Sequence, residues 1–202
     1  MSENRIVSYW KSLWPHQEEK SGKKVSTQKM VIIAVLIALH VVLAKVATIP
    51  IGNSMKITMS GITEVVAGFL FGPVSGGLVG LLGSFLDQML SYGFTATTLL
   101  WILPAALKGL ICGWYAKANR YEMNPIQILW VLVVTAVIVT AVNTVTMIID
   151  ATMFGYATQA AELTMLGLRV LSGALTSVAY MLIVVPLLHR LKTLNGIKDL
   201  RE

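Results

Sequence analysis

The chain has 202 residues, 55% of them hydrophobic and 13% charged, with one cysteine and a formal net charge of +6. Soluble domains carry about 25% charged residues, disordered chains carry more charge and less apolar surface, and a disulfide scaffold needs paired cysteines. The apolar residues fall in unbroken runs, not in stripes or alternation, which excludes a conventional soluble core and predicts an integral membrane protein.

At the N-terminus, Ile6, Val7, Trp10, Leu13 and Trp14 recur at three- and four-residue steps and so share one helical face. Tryptophans beside basic residues suit the membrane–water boundary, so residues 1–27 read as a cytoplasmic amphipathic head with a polar linker. No cleavable signal peptide is expected, because the first apolar run starts near residue 30 and is too long for one.

A helix crossing the hydrocarbon core needs about 20 apolar residues. The runs at 30–51, 97–116, 126–149 and 163–188 meet that length. Between the first two of these, residues 57–71 and 73–90 read as two shorter spans joined at Gly72-Pro73, with Gly76, Gly77, Gly80 and Gly83 in the second. The expected fold is an all-α bundle of six transmembrane helices over residues 28–190, with a cytoplasmic tail at 191–202. Orientation follows from charge: Arg5, Lys11, Lys20, Lys23, Lys24, Lys29, Lys117, Arg120, Arg190, Lys192, Lys198 and Arg201, twelve of the sixteen basic residues, fall on one side of such a bundle. The positive side is cytoplasmic, which places both termini inside in the cell membrane. The basic balance is thus a topology signal, and no nucleic-acid partner is expected.

No Gly-x-x-x-x-Gly-Lys-Ser/Thr loop, His-Glu-x-x-His pair or Gly-x-Ser-x-Gly elbow occurs, and His16, His40 and His189 are too scattered for a metal site. Neither catalysis nor a cofactor is expected, and the lone Cys112 reads as a small apolar residue. Ionisable groups at membrane depth are costly and face a cavity or a partner helix. Lys45 and Asp150 lie near the outer ends of their spans. Glu64 and Lys108 lie mid-span, either as a structural ion pair or as a ligand- or proton-handling pair. Asp87, Gln88, Tyr92, Trp101, Asn143, Thr144 and Arg169 converge by topology on the outer leaflet, an inventory that suits a pocket of aromatic walls and few polar groups. Ala34 and Ala38 form a small-xxx-small face open to another helix.

These stretches resemble the substrate-binding S components of energy-coupling factor (ECF) vitamin transporters, most closely the folate-type branch. The likeness rests on the run from Val31 through His40, on Ile49 to Thr58, on the Phe71-Gly72-Pro73 turn, on Asp87 after a glycine-rich helix, and on Val142-Asn143-Thr144 with Arg169. It covers roughly residues 28–190. The chain departs from the folate-type pattern at Ser91 to Thr98, where Phe94 stands in the loop over the ligand. The resemblance implies a six-helix bundle that captures a vitamin-class molecule, folate-like, in an outer pocket, without ATPase activity. Asn53, Lys56, Asp87, Gln88, Tyr92, Phe94, Trp101, Asn143 and Arg169 are the implied substrate-binding residues. The implied partners are a transmembrane coupling protein, docked on Ala34 and Ala38, and two cytoplasmic ATPase subunits. A stand-alone secondary transporter or a membrane-embedded enzyme stays open beside this reading; the single Gly-Pro break, with no second copy, speaks against the former.

Overall fold

The computed structural model describes residues 26–51, 55–155 and 166–192. The expected amphipathic head and most of the tail lie outside the described residues.

Helix α1, Thr27–Val46, carries one buried residue, His40, in an otherwise apolar and largely exposed length. It stops with the Ala47 amide donating to the Leu43 carbonyl at 2.9 Å, and the Thr48 hydroxyl donates to the Ala44 carbonyl at 2.6 Å. The chain then turns into a two-stranded antiparallel ladder, β1 (Thr48–Ile51) and β2 (Met55–Thr58), with Thr48 opposite Thr58 and Ile51 opposite Met55. This corrects the expectation of helix through residue 51 and again from 57, in a fold that is helical elsewhere among the described residues. Pro50 has no amide hydrogen for a helix, and Thr48, Ile49, Ile51, Ile57 and Thr58 are β-branched, so an apolar run of this make-up pairs as strands.

Helix α2, Gly61–Phe71, is eleven residues long and every one is buried. At 1.5 Å per residue it is about 16 Å long, roughly half the hydrocarbon thickness. Gly72 then adopts φ 103°, a conformation that a side chain would strain, and Pro73 opens α3 at its first position, where no amide hydrogen is needed. Helix α3 spans Pro73–Tyr92 and α4 spans Thr98–Ala118. Helix α5, Pro125–Phe154, starts with the Gln127 side chain accepting from the Asn124 amide at 2.9 Å and ends at left-handed Gly155. Helix α6 spans Leu166–Lys192.

Among the described residues six helices carry the fold, and four of them, α1, α4, α5 and α6, are long and apolar enough to cross a membrane. Helix α3 matches α1 in length but is diluted by four glycines. Those glycines serve packing. A side chain on Gly76 would strike the backbone of Gly109 and the reverse also holds, so α3 and α4 touch main chain to main chain with α2 wedged beside them. Toward the Gly72 end, Phe69 and Phe71 of α2 join Cys112 and Ala116 of α4, Leu132 of α5, and Val184 and Leu188 of α6 in one apolar core.

Candidate functional site

The end of the bundle that carries the β1–β2 hairpin gathers the polar groups. Lys45, at the end of α1, places Nζ 2.7 Å from Asp87 Oδ1 on α3, and it also donates to the Ser91 hydroxyl one turn further along. Asp87 is thus held by α1, a partnership that topology alone did not reveal. The pair is partly exposed, at 42% for the Lys45 side chain and 29% for that of Asp87, so it remains within reach of a solute. Gln88 flanks it and is half-buried, while Tyr92 and Phe94 stand exposed at the helix end and in the following loop.

Helices α4 and α5 are tied at the same end. The Thr97 hydroxyl donates to Asp150 Oδ1, and the Thr146 hydroxyl reaches the Leu100 carbonyl at 3.4 Å. Within the loop, the Thr95 amide donates to the Thr98 hydroxyl at 2.8 Å, which shapes the turn that presents Phe94. Trp101 follows Thr97 by one turn and Asn143 precedes Asp150 by two, both half-buried. Arg169 belongs to the first turn of α6 and Lys56 to β2; their side chains, and Asn53 as a whole, lie outside the described residues. The hairpin end thus collects the elements that bear the expected substrate-binding residues. Ala34 and Ala38 are exposed on α1, on a face shared with Val31, Val35 and Val42.

Deeper in the bundle lies a polar seam of which sequence reasoning found only part. Lys108 Nζ is 2.9 Å from Glu64 Oε1, so the mid-span pair does form. Beyond this ion pair, neither Glu64 oxygen has a hydrogen-bond donor among the described residues. On the other side of Glu64 stands His40, with Nδ1 3.6 Å from Oε2 and 3.1 Å from the Thr63 hydroxyl. The Thr63 hydroxyl donates to the Ser60 carbonyl at 2.8 Å, so it accepts from Nδ1–H. His40 Nε2 lies 3.5 Å from the Ser84 hydroxyl. Tyr180 of α6 completes the seam: its hydroxyl donates to the Thr58 carbonyl at 2.7 Å, and its ring centre lies 5.7 Å from Lys108 Nζ.

By spacing alone His40 is one of three scattered histidines. The available signal was a polar ring in the middle of a strongly apolar run, which at membrane depth requires partners on facing helices. The Lys45–Asp87 pair had a comparable signal, a charge of each sign near the same end of two spans.

A family model described as "ECF-type riboflavin transporter, S component" matches residues 24–193. Among curated relatives, a UPF0397 protein of Lactobacillus johnsonii is 36% identical over 106 residues, which are 50% of this chain and 54% of that protein. A UPF0397 protein of Streptococcus thermophilus is 24% identical over 107 residues, 53% and 58% of the two chains. The matches thus cover little more than half the length of these relatives. Three solved structures share the fold: FolT bound with folic acid (TM-score 0.61, 20% identity, 82% of this chain and 97% of that one), the S component of a bacterial ECF transporter (0.58, 18%, 82% and 95%), and an S component for biotin from an ECF-type ABC transporter (0.51, 17%, 98% and 97%).

Proposed function

Because the chain belongs to the family of ECF-type riboflavin transporter S components, we propose that it is the substrate-binding subunit of an ECF-type importer and captures a vitamin at the hairpin end of its bundle. The protein is a multi-pass membrane protein of a transporter family, not of an enzyme family. In the proposed arrangement six helices cross the cell membrane, both termini are cytoplasmic and the hairpin end faces outward. Transport energy comes from a transmembrane coupling protein and two cytoplasmic ATPase subunits, the module with which S components work. The observation that carries this reading is the family match over residues 24–193, reinforced by the gathering of polar and aromatic residues at one end.

The ligand we assign is a vitamin with a fused heteroaromatic ring, folate-like in the first instance and riboflavin as its rival. The fold likeness to a protein bound with folic acid supports the first, and the family description supports the second. Tyr92, Phe94 and Trp101 would stack on the rings. Asp87, Gln88, Asn143 and Arg169, with Asn53 and Lys56 from the hairpin, would satisfy the polar edges. The test is tryptophan-fluorescence titration of the purified chain with folic acid, riboflavin and biotin. Saturable quenching by one of the two fused-ring vitamins is expected; a response to biotin alone, or to none of the three, would overturn the assignment.

Docking is assigned to Ala34 and Ala38, whose small side chains allow another helix to approach the backbone closely. Ala38→Trp is expected to abolish vitamin uptake in cells and co-purification of the ATPase subunits, with ligand affinity of the isolated chain changed less than about twofold, since neither alanine lies at the hairpin end. Undiminished co-purification would remove that assignment, and uptake by the chain alone in liposomes would replace it with a secondary transporter.

A further inference from the structure

In the proposed arrangement helix α2, about 16 Å long, covers about half the hydrocarbon thickness and the hairpin occupies the rest of its path. Non-helical backbone at that depth is tolerated where it is enclosed by protein or lines a cavity. Directly where helix gives way to hairpin stands Lys108. A side chain on Gly61, the first residue of α2, would fall 2.7 Å from its ammonium and 2.5 Å from the Tyr180 hydroxyl, so the glycine makes the room in which the two groups sit.

Lys108 differs from its neighbours in accessibility. Its side chain is 21% exposed, while that of Glu64 is 1% exposed and Tyr180 is buried. The exposed part does not face lipid. Leu99, Leu103, Leu110 and Trp114 form the exposed face of α4, and Lys108 lies on the opposite side, beside buried Pro104 and Cys112. Seven residues earlier, two turns up the same face, is Trp101, about 10 Å toward the hairpin end. An ammonium has three donors. Here one side of it meets Glu64 Oε1 at 2.9 Å and another the Tyr180 ring, and the side chain keeps its partial exposure on the face of α4 that also carries Trp101.

Resting on the reading of the hairpin end as a vitamin pocket, we propose that Lys108 forms the floor of that pocket and reads the ligand by donating hydrogen bonds to a neutral acceptor, the ring carbonyl of a fused heteroaromatic vitamin. Glu64 and Tyr180 are positioning residues. The neutral character of the acceptor follows from charge: Glu64 already balances Lys108, and a second anion would leave an excess buried negative charge without a partner. Trp101 above and Lys108 below then define the length over which a ring system lies, with the aromatic residue on its face and the ammonium at its edge.

The test uses the full chain carrying Lys108→Met together with Glu64→Gln, a combination that removes both charges and strands neither. Its unfolding temperature without ligand should stay within a few degrees of the wild type, while affinity for the vitamin bound by the wild type, folic acid or riboflavin, falls at least tenfold. Gly61→Ala, which keeps both charges but displaces the ammonium, should weaken the same ligand at least fivefold. Aminopterin, in which an amino group replaces the pterin ring carbonyl, gives a third readout: for a chain that binds folic acid, any preference of the wild type for folic acid should disappear in the double variant. Affinity within twofold of wild type in the double variant, or an equal loss toward folic acid and aminopterin, would overturn the role of Lys108. A wild-type chain that binds neither folic acid nor riboflavin would instead bring down the vitamin reading itself, together with this extension of it.

Discussion

The α2–α3–α4 block and the α5–α6 pair are built by different means. In the block, main chain meets main chain: Gly76 lies against Gly109, Gly68 against Gly109 and Gly113, and all eleven residues of α2 are enclosed. In the pair, α6 rests on α5 through side chains, with the Ser177 hydroxyl reaching the Leu132 carbonyl at 3.3 Å and Gly173 keeping Thr140 Oγ1 at 3.5 Å from any added carbon. Lipid tails are as apolar as leucine, so burial of apolar surface does not drive helices together in a membrane; close approach and polar contacts do. The block uses both devices at high density, adding the Glu64–Lys108 pair to its glycines, whereas the α5–α6 pair uses them sparingly. The first part of the molecule is thus a closely packed frame, and the second a looser contact between side chains.

Separating the charges of the seam should damage the frame most. Lys108→Ala alone strands a fully buried carboxylate, for which a loss of about 3–5 kcal/mol is expected, with much of it recovered by adding Glu64→Gln. Thermal unfolding in detergent measures both; equal stability of the single and the double variant would show that the pair is not what holds α2 to α4. Next comes Gly109→Ala, whose methyl group has nowhere to go but the Gly76 backbone, at a cost of about 1–3 kcal/mol. Gly173→Ala in the pair meets only ordinary contacts and should change stability by less than about 0.5 kcal/mol. If the two glycine variants unfolded alike, the contrast between frame and pair would fail. The smallest effect on stability is expected at the rim: Asp87→Asn weakens a partly exposed ion pair worth at most about 1 kcal/mol. The same variant should lower ligand affinity by a larger factor if the proposed pocket includes Asp87, so isothermal binding beside unfolding sharpens the difference between holding α1 in place and holding a ligand.

The helical runs were legible because membrane depth imposes a length: all but the first residue of 97–116 lies within α4, 126–149 lies within α5, and most of 163–188 within α6. The turn at Gly72-Pro73 was legible because only glycine takes that φ freely and proline suits a first helical position. The hairpin was not. Hydropathy does not distinguish an apolar strand from the end of an apolar helix, so residues 48–51 were read as a continuation of span one and 57–58 as the start of span two. At the site, the placement of Asp87, Trp101 and Asn143 on one end followed from topology, while the partners of Asp87 and His40 did not. Lys45 and Asp87 are 42 residues apart, and nothing local in either segment specifies the other.

What the amino-acid sequence by itself determined is the partition between lipid and water. The length of each apolar run, the breaks between runs and the distribution of lysine and arginine are set by transfer energies that act residue by residue. What only the tertiary structure decided is which polar group each buried charge meets. Glu64 could have faced Lys108, His40 or a ligand on sequence grounds alone; the close approach of α3 and α4 at Gly76 and Gly109, with α2 held beside them, is what brings Glu64 between Lys108 and His40. A buried charge tolerates few positions, and those positions exist only once the helices have packed.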